Sequence, residues 1–509
     1  MKAFRVLAYS RDALLECLVD ASLSSQEDLE RKLHIRYFTD YFSALGARTI
    51  LVESGYVDHD YLEDYAAYYV RCFQRYKRHT QRLHFFNQPF SEHDFHDALV
   101  NPASAFNARF LQDGYLGFVV VKPLPQTIIG RTCLITYPAD GGRRSFPILR
   151  DYPVNLFGFN LKVASLAFQE QDTVVAACAT SALWSCFQGT GKLFQHAIPS
   201  PVEITKAATD HVPESLPATS ARALPNSGLT ATQMALAIRN VGLEPYILST
   251  TSTYILNSTL YAYLKCKIPP ILGFQLYDLV AGVEHLIGGH AVALTGFSTG
   301  ISKPKPFGPS GFLLRASRID KVYAHDDQVG PFSRMEHAFS TRDYLATSWR
   351  GKGNVEALPL LLLLPLYHKI RIPFETIHDA VLILDSVLDP ARAKAYPTLP
   401  RPEWDIYLTT VNEFKSDVLD AMRSLLGSAV EHSLTAVLWR VTARCGSDHH
   451  LDLLFDATGI AQHQLLVHVV KVRPELPALI AACSGLVKGQ LGNRQAEAIF
   501  AWFEPPVSP

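Results

Sequence analysis

Gln169-Glu-Gln-Asp-Thr-Val-Val-Ala-Ala-Cys178-Ala-Thr-Ser-Ala-Leu-Trp184 is the stretch on which the reading of this chain turns. A cysteine stands immediately before an apolar, helix-forming run. That order predicts a helix from Cys178 to Phe187 with the sulfur at its N-terminus. There the positive end of the helix dipole and free backbone N–H groups favour a thiolate. Gln171, seven residues earlier, can offer its side-chain amide to a developing oxyanion, with the Cys178 backbone N–H as the second donor.

Two later stretches complete the pattern. In Gly288-Gly-His290-Ala-Val-Ala-Leu-Thr-Gly-Phe297 a histidine opens a small apolar strand, preceded by glycines that let a substrate backbone come close. An imidazole is the side chain best suited to take a thiol proton near neutral pH. In Val322-Tyr-Ala-His-Asp326-Asp-Gln-Val-Gly-Pro331 an acid closes a short strand before a turn, where its carboxylate can orient the ring. Each signal alone has a bland reading. A lone cysteine is usually a small buried hydrophobe, a histidine on an apolar strand a satisfied core residue, and Asp-Asp before Gly-Pro turn chemistry. The order Cys, His, Asp, with a Pro270-led strand before the histidine, is more specific than any part.

With Gln171, Cys178, Pro270-Ile-Leu, His290 and Asp326 in place, residues 165–345 resemble the papain-like cysteine peptidases. The likeness is greatest to the bacterial peptidase domains that cleave double-glycine leaders. The resemblance implies an α+β fold: a papain-like core in which an N-terminal helix bearing Cys178 packs on an antiparallel sheet bearing His290 and Asp326, flanked by mixed α/β domains. It also implies a thiol hydrolase, most simply a peptidase. Cys178 attacks a carbonyl, His290 moves the proton, Asp326 holds His290, and Asp327 is the alternative for that last role. Three positions depart from the family pattern. Ala179 replaces a glycine, Asp327 replaces a proline, and the step of seven from Gln171 to Cys178 is one residue longer than the family's, which leaves Gln169 as a second, weaker candidate. These departures keep open a catalytically inactive peptide-binding scaffold, and the same triad order also serves acyl transferases of the transglutaminase type.

Working outward, 48% hydrophobic and 19% charged residues exclude a mostly disordered chain, and 509 residues suit two to four domains. Three consecutive regions are expected: 1–150, mixed α/β; 151–375, the peptidase domain; and 376–509, an α/β accessory domain. The flanking regions are suited to selecting substrate and covering the cleft, which fits a protein or peptide substrate and a regulatory protein partner. A net charge of −1 gives no global basic field for nucleic acid or anionic lipid. Eight cysteines, scattered and never spaced CxxC, point to a reduced, cytoplasmic protein. Residues 1–12 lack an apolar core of signal-peptide length. The longest apolar run, 357–367, carries two prolines and reads as a buried strand rather than a membrane span.

Other elements follow from periodicity. Tyr61–Arg78 has helical spacing, and Tyr65, Tyr68, Tyr69, Phe73 and Tyr76 read as an aromatic face packed on the N-terminal domain. Gly117–Val121 and Thr132–Tyr137 read as strands, the latter opening a hairpin through Pro138–Arg144. Residues 199–229 read as a long surface connection, Thr230–Val241 as a helix stopped by Gly242, and 436–442 and 465–472 as strands. No cofactor and no metal is expected. Gly189-Thr-Gly-Lys192 lacks the remainder of a phosphate loop, and Glu284, His285, His290 and His325 lack metal-site spacing. His84, His93 and His96 are expected on exposed helix or loop, and His449-His450 in a polar loop.

Overall fold

In a computed structural model, the structure describes residues 2–504 apart from 102–103, 105, 173–176, 211–227, 281–282, 338–341, 350–354, 423–435, 460–463 and 488, with backbone only for 419–422. Much of the expected 199–229 connection (211–227) and part of the 169–184 stretch (173–176) therefore lie outside the described residues. The chain forms two units that do not follow its order. The first takes 1–251, 267–298 and 321–365; the second takes 252–266, 299–320 and 366–509. The three consecutive regions expected from composition are thus interleaved, because two short excursions, 252–266 and 299–320, leave the first unit and return.

The first unit opens with an antiparallel meander of β1 (Phe4–Ala8), β2 (Thr49–Tyr56), β3 (Thr80–Phe86), β4 (Tyr115–Val121) and β5 (Ile129–Leu134). A short β6 (Arg144–Ser145) follows, then a hairpin of β7 (Arg150–Leu156) and β8 (Phe159–Ser165). Its two-residue turn places Phe157 and Gly158 at positive φ, the backbone twist that matches two antiparallel strands. Burial alternates along both strands, as the alternating sequence requires.

The second sheet of this unit contains β9 (Glu244–Ser249), β10 (Ile271–Val280), β11 (Val283–Thr299), β14 (Ile319–Asp326), β15 (Gly330–His337), β16 (Leu345–Ala346) and β17 (Val355–Leu366). β10 pairs with both β11 and β17, so the path β10-β11-β14-β15-β16-β17 closes on itself. The apolar run 357–367 is indeed a strand of this ring. Pro359 sits where the β10 register shifts, a place that spares the ladder a missing donor.

In the second unit, β12 (Pro306–Phe307), β13 (Phe312–Leu314), β18 (Pro402–Thr410), β19 (Val437–Cys445), β20 (Asp448–Asp456) and β21 (Leu466–Lys471) form one sheet, parallel only between β13 and β18. Helices Thr253–Leu264, Phe374–Ala395, Val411–Met422, Glu475–Val487 and Arg494–Trp502 accompany it. The class is mixed α+β with antiparallel sheets. Among the described residues no helix is long and apolar enough to cross a membrane.

Several expectations are corrected. The 61–78 helix ends at Ala67, and only a single turn follows at Tyr69–Arg71. The strand at 132–137 is β5, shifted to Ile129–Leu134. It forms no hairpin across Pro138–Arg144, because Ser145 pairs instead with Phe297 on β11. A Cβ on Gly296 would stand 2.4 Å from the Ser145 carbonyl, so that docking needs glycine. Residues 201–209 are a helix with Pro201 in its first turn and Val202, Ile204 and Ala208 buried, rather than surface connection. His84 is fully buried on β3 and bonds the Tyr115 hydroxyl and Glu53, while His93 and His96 are exposed as expected. His449 and His450 open β20, and His450 is buried.

Gly117 is the tightest point of the meander. Its φ is +116°, and a Cβ there would meet the Cys133 carbonyl at 2.0 Å. Gly117→Ala is expected to cost more than about 2 kcal/mol, read as a lower urea midpoint of unfolding.

Candidate active site

Helix Cys178–Phe194 starts on the cysteine, as the sequence requires, and runs seven residues further than expected to Gln195, whose left-handed backbone ends it. It is buried on nearly all sides, the behaviour of a helix apolar around its circumference. Ser185 answers burial by donating to the Ala167 carbonyl at 3.0 Å. The Gly-Thr-Gly-Lys segment lies inside this helix, where a Cβ on Gly191 would stand 2.6 Å from Ile198, so its glycines serve close packing.

Strand β11 is longer than the sequence implied. It begins at Val283, seven residues before His290, and His290 is the point at which the exposed strand becomes buried. Phe274, its register partner on β10, meets the ring edge-on at 5.3 Å. Asp326 ends β14, and Asp327, Gln328 and Val329 turn the chain into β15. The strand-end acid therefore lies where the sequence placed it.

The ring of His290 joins these elements. Its Nε2 lies 3.0 Å from Asp326 Oδ1, and the Cys178 side chain is near enough to the same ring to favour its charged form. Burial alone would push this imidazole toward neutrality. The carboxylates of Asp326 and Asp327 outweigh burial, helped by the bond to Asp326 and the nearness of Cys178, and hold the ring well above the ordinary histidine value. Burial would likewise raise Asp326. The His290 charge and hydrogen bonds from His290, Trp349 and the Gln328 backbone reverse the sign and keep it below the usual carboxylate range. The Trp349 indole N–H donates to Asp326 Oδ2 at 2.8 Å, and its ring meets the imidazole edge-on at 5.5 Å.

Asp327, the alternative acid, has a different surrounding. Its Oδ1 stands 3.6 Å from His290 Nε2 and has no hydrogen-bond partner, while Oδ2 accepts from the Gln328 side chain. Burial, joined by the charge of Asp326, raises this carboxyl to about 6. The Asp327 backbone carbonyl accepts from buried His34 Nε2 at 2.9 Å, which pins the turn. The neighbouring His325 is a core residue. Its Nε2–H donates to the Leu166 carbonyl, its Nδ1 accepts from the Phe332 N–H, and burial drives it down to about 3.

No protein-family profile and no curated protein matches this chain. The site therefore rests on its own geometry. Gln171 is half-buried, one residue before Asp172, and no described hydrogen bond joins it to Cys178 or His290; Gln169 is buried nearby in sequence. Glu284 and His285 lie on the exposed part of β11, apart from His325 in the core. Among the described residues the His–carboxylate group compact enough to hold an ion is His290, Asp326 and Asp327, with ligand atoms within 4.8 Å. Of these, His290 Nε2 and Asp326 Oδ1 already bond each other. Trp349 and His34 escaped the sequence reading, since neither has a motif or spacing that ties it to Asp326 or Asp327.

Asp327 makes a pH prediction. An acid raised in the folded state binds its proton more tightly there than in the unfolded chain, so folding loses stability as pH climbs through the interval between the two values. Asp327→Asn is expected to be more stable than wild type. The gain grows between about pH 4 and 7, levels above that, and reaches on the order of 3 kcal/mol. Thermal melts across this range measure it, and a pH-independent difference would contradict the assignment.

Proposed function

We propose that this chain is a cysteine-dependent hydrolase, a peptidase acting through a thioester on Cys178, with a papain-like core made of the Cys178 helix and the antiparallel strands bearing His290 and Asp326. The observation that carries the reading is the His290–Asp326 hydrogen bond, with the Cys178 thiol, at a helix start, near enough to the same ring to favour its charged form. In this mechanism His290 takes the thiol proton and the sulfur attacks the substrate carbonyl carbon. The carbonyl electron pair moves onto oxygen, where the Cys178 backbone N–H and the Gln171 amide are the proposed donors. The oxyanion collapses, the C–N bond breaks, and His290 returns its proton to the leaving amine. Water then gives a proton to His290 and cleaves the thioester, which frees the acid and restores the thiol. Asp326 keeps the ring oriented and stabilises its charged form throughout.

A peptide substrate is supported by the approach to His290. Gly288 and Gly289 have open space where side chains would stand, and residues 283–287 of the strand leading to them are exposed. An extended backbone can lie close there. Eight free thiols suit a reducing compartment such as the cytoplasm.

The test is the pH dependence of iodoacetamide alkylation, followed cysteine by cysteine by peptide mass spectrometry. Cys178 is expected to react below about pH 7 far faster than the other seven, and His290→Ala is expected to remove that advantage. Alkylation of Cys178 at the pace of the others would sink the hydrolase reading.

A further inference from the structure

The segment Tyr69-Val-Arg-Cys-Phe73-Gln-Arg-Tyr-Lys-Arg78 does something the thiol chemistry does not require. Residues 65–91 contain no Asp or Glu, yet Arg71, Arg75, Lys77 and Arg78 fall within eight positions. All four are exposed, and none enters an ion pair among the described residues. Between them Phe73 is fully exposed at 110% and Val70 is 54% exposed. An isolated apolar side chain on a surface needs no explanation. A bare phenylalanine and a bare valine in a run with four exposed cations, none ion-paired among the described residues, do.

The segment is held from beneath. Tyr61, Tyr69 and Leu124 form a small buried cluster of their own, with Tyr65, Tyr68, Cys72 and Tyr76 packed against it. Tyr69 meets Tyr76 edge-on at 5.2 Å, the Tyr69 hydroxyl donates to Asp172, and the Tyr61 hydroxyl donates to the Lys77 carbonyl at 2.9 Å. The tyrosines are thus spent on anchoring the segment, and Phe73 and Val70 are what it presents.

We propose that this segment is a docking site for an anionic lipid surface, with Phe73 and Val70 entering the headgroup boundary while Arg71, Arg75, Lys77 and Arg78 face acidic headgroups. A short amphipathic presentation of this kind combines apolar insertion with electrostatic attraction. Single-stranded nucleic acid is the weaker match to the same charge. It would need several free rings for successive bases, whereas Tyr69 and Tyr76 are committed to each other, and it gives Val70 no role. The near-neutral chain makes the attraction local to this segment rather than a property of the whole protein.

Flotation of the full-length protein with vesicles tests the proposal. Vesicles containing about 30% phosphatidylserine are expected to carry the protein at low salt, and pure phosphatidylcholine vesicles are not. High salt should release it, because exposed charges are screened. Reversing two cations together, Arg75→Glu with Lys77→Glu, is expected to lower partitioning by at least about twentyfold. Phe73→Ser should lower it by roughly tenfold with the charge unchanged. Both substitutions lie on exposed side chains, and matching far-ultraviolet circular dichroism confirms that the fold is kept. No flotation with the acidic vesicles, or flotation indifferent to both variants, overturns the proposal. Binding of a fluorescent oligouridine without vesicle binding overturns it in favour of nucleic acid.

Discussion

The hydrogen bond from His290 to Asp326 is the constraint around which the first unit is arranged. Its partners stand 36 residues apart, on two strands of one closed ring, and both are buried. A buried imidazole next to buried carboxylates is stable only if charge is matched and every polar atom finds a partner. Asp326 meets that condition: one oxygen takes His290 and the Gln328 backbone, the other takes Trp349. Asp327 meets it only in part, and its carboxyl accordingly holds its proton to a higher pH.

Two adjacent segments of one strand end show how the surroundings decide a residue's chemistry. His325 and Asp326 are neighbours at the end of β14, where the ladder to β15 shifts register between Ala324 and Asp326. His325 meets a carbonyl and an N–H and stays neutral. Asp326 meets the ring of His290 and stays ionised. The burial profile of β11 matters for His290. The strand passes from solvent into the core at that residue, so its ring is enclosed while the strand before it remains open.

The Cys178 helix supplies the complementary half. It is buried along its length, which fixes its axis, and its first residue is the thiol. Glycines at 189 and 191 let Pro269 and Ile198 approach the helix backbone, and the residue after Pro269 begins the connection into β10. Packing on the helix and pairing in the ring thus act together to set one sulfur against one imidazole.

How much of this was legible in the sequence depends on distance along the chain. The start of the helix at Cys178, the end of a strand at Asp326 and the stop at Gly242 were readable, because propensity, periodicity and backbone preference act over a few residues. Helical spacing misled over 61–78, where the tyrosines pack on one another instead of along a helix face. His84 and His450 were misplaced because the polarity of neighbouring residues says nothing about which strand will cover them. By itself the sequence determined which cysteine, histidine and acid lie at element ends, and which local elements carry them. Only the tertiary structure decided that Asp326 rather than Asp327 bonds the ring, that Trp349 caps that acid, and that the chain interleaves two units. Each of these outcomes depends on pairing between strands far apart in the chain, and no local preference encodes it.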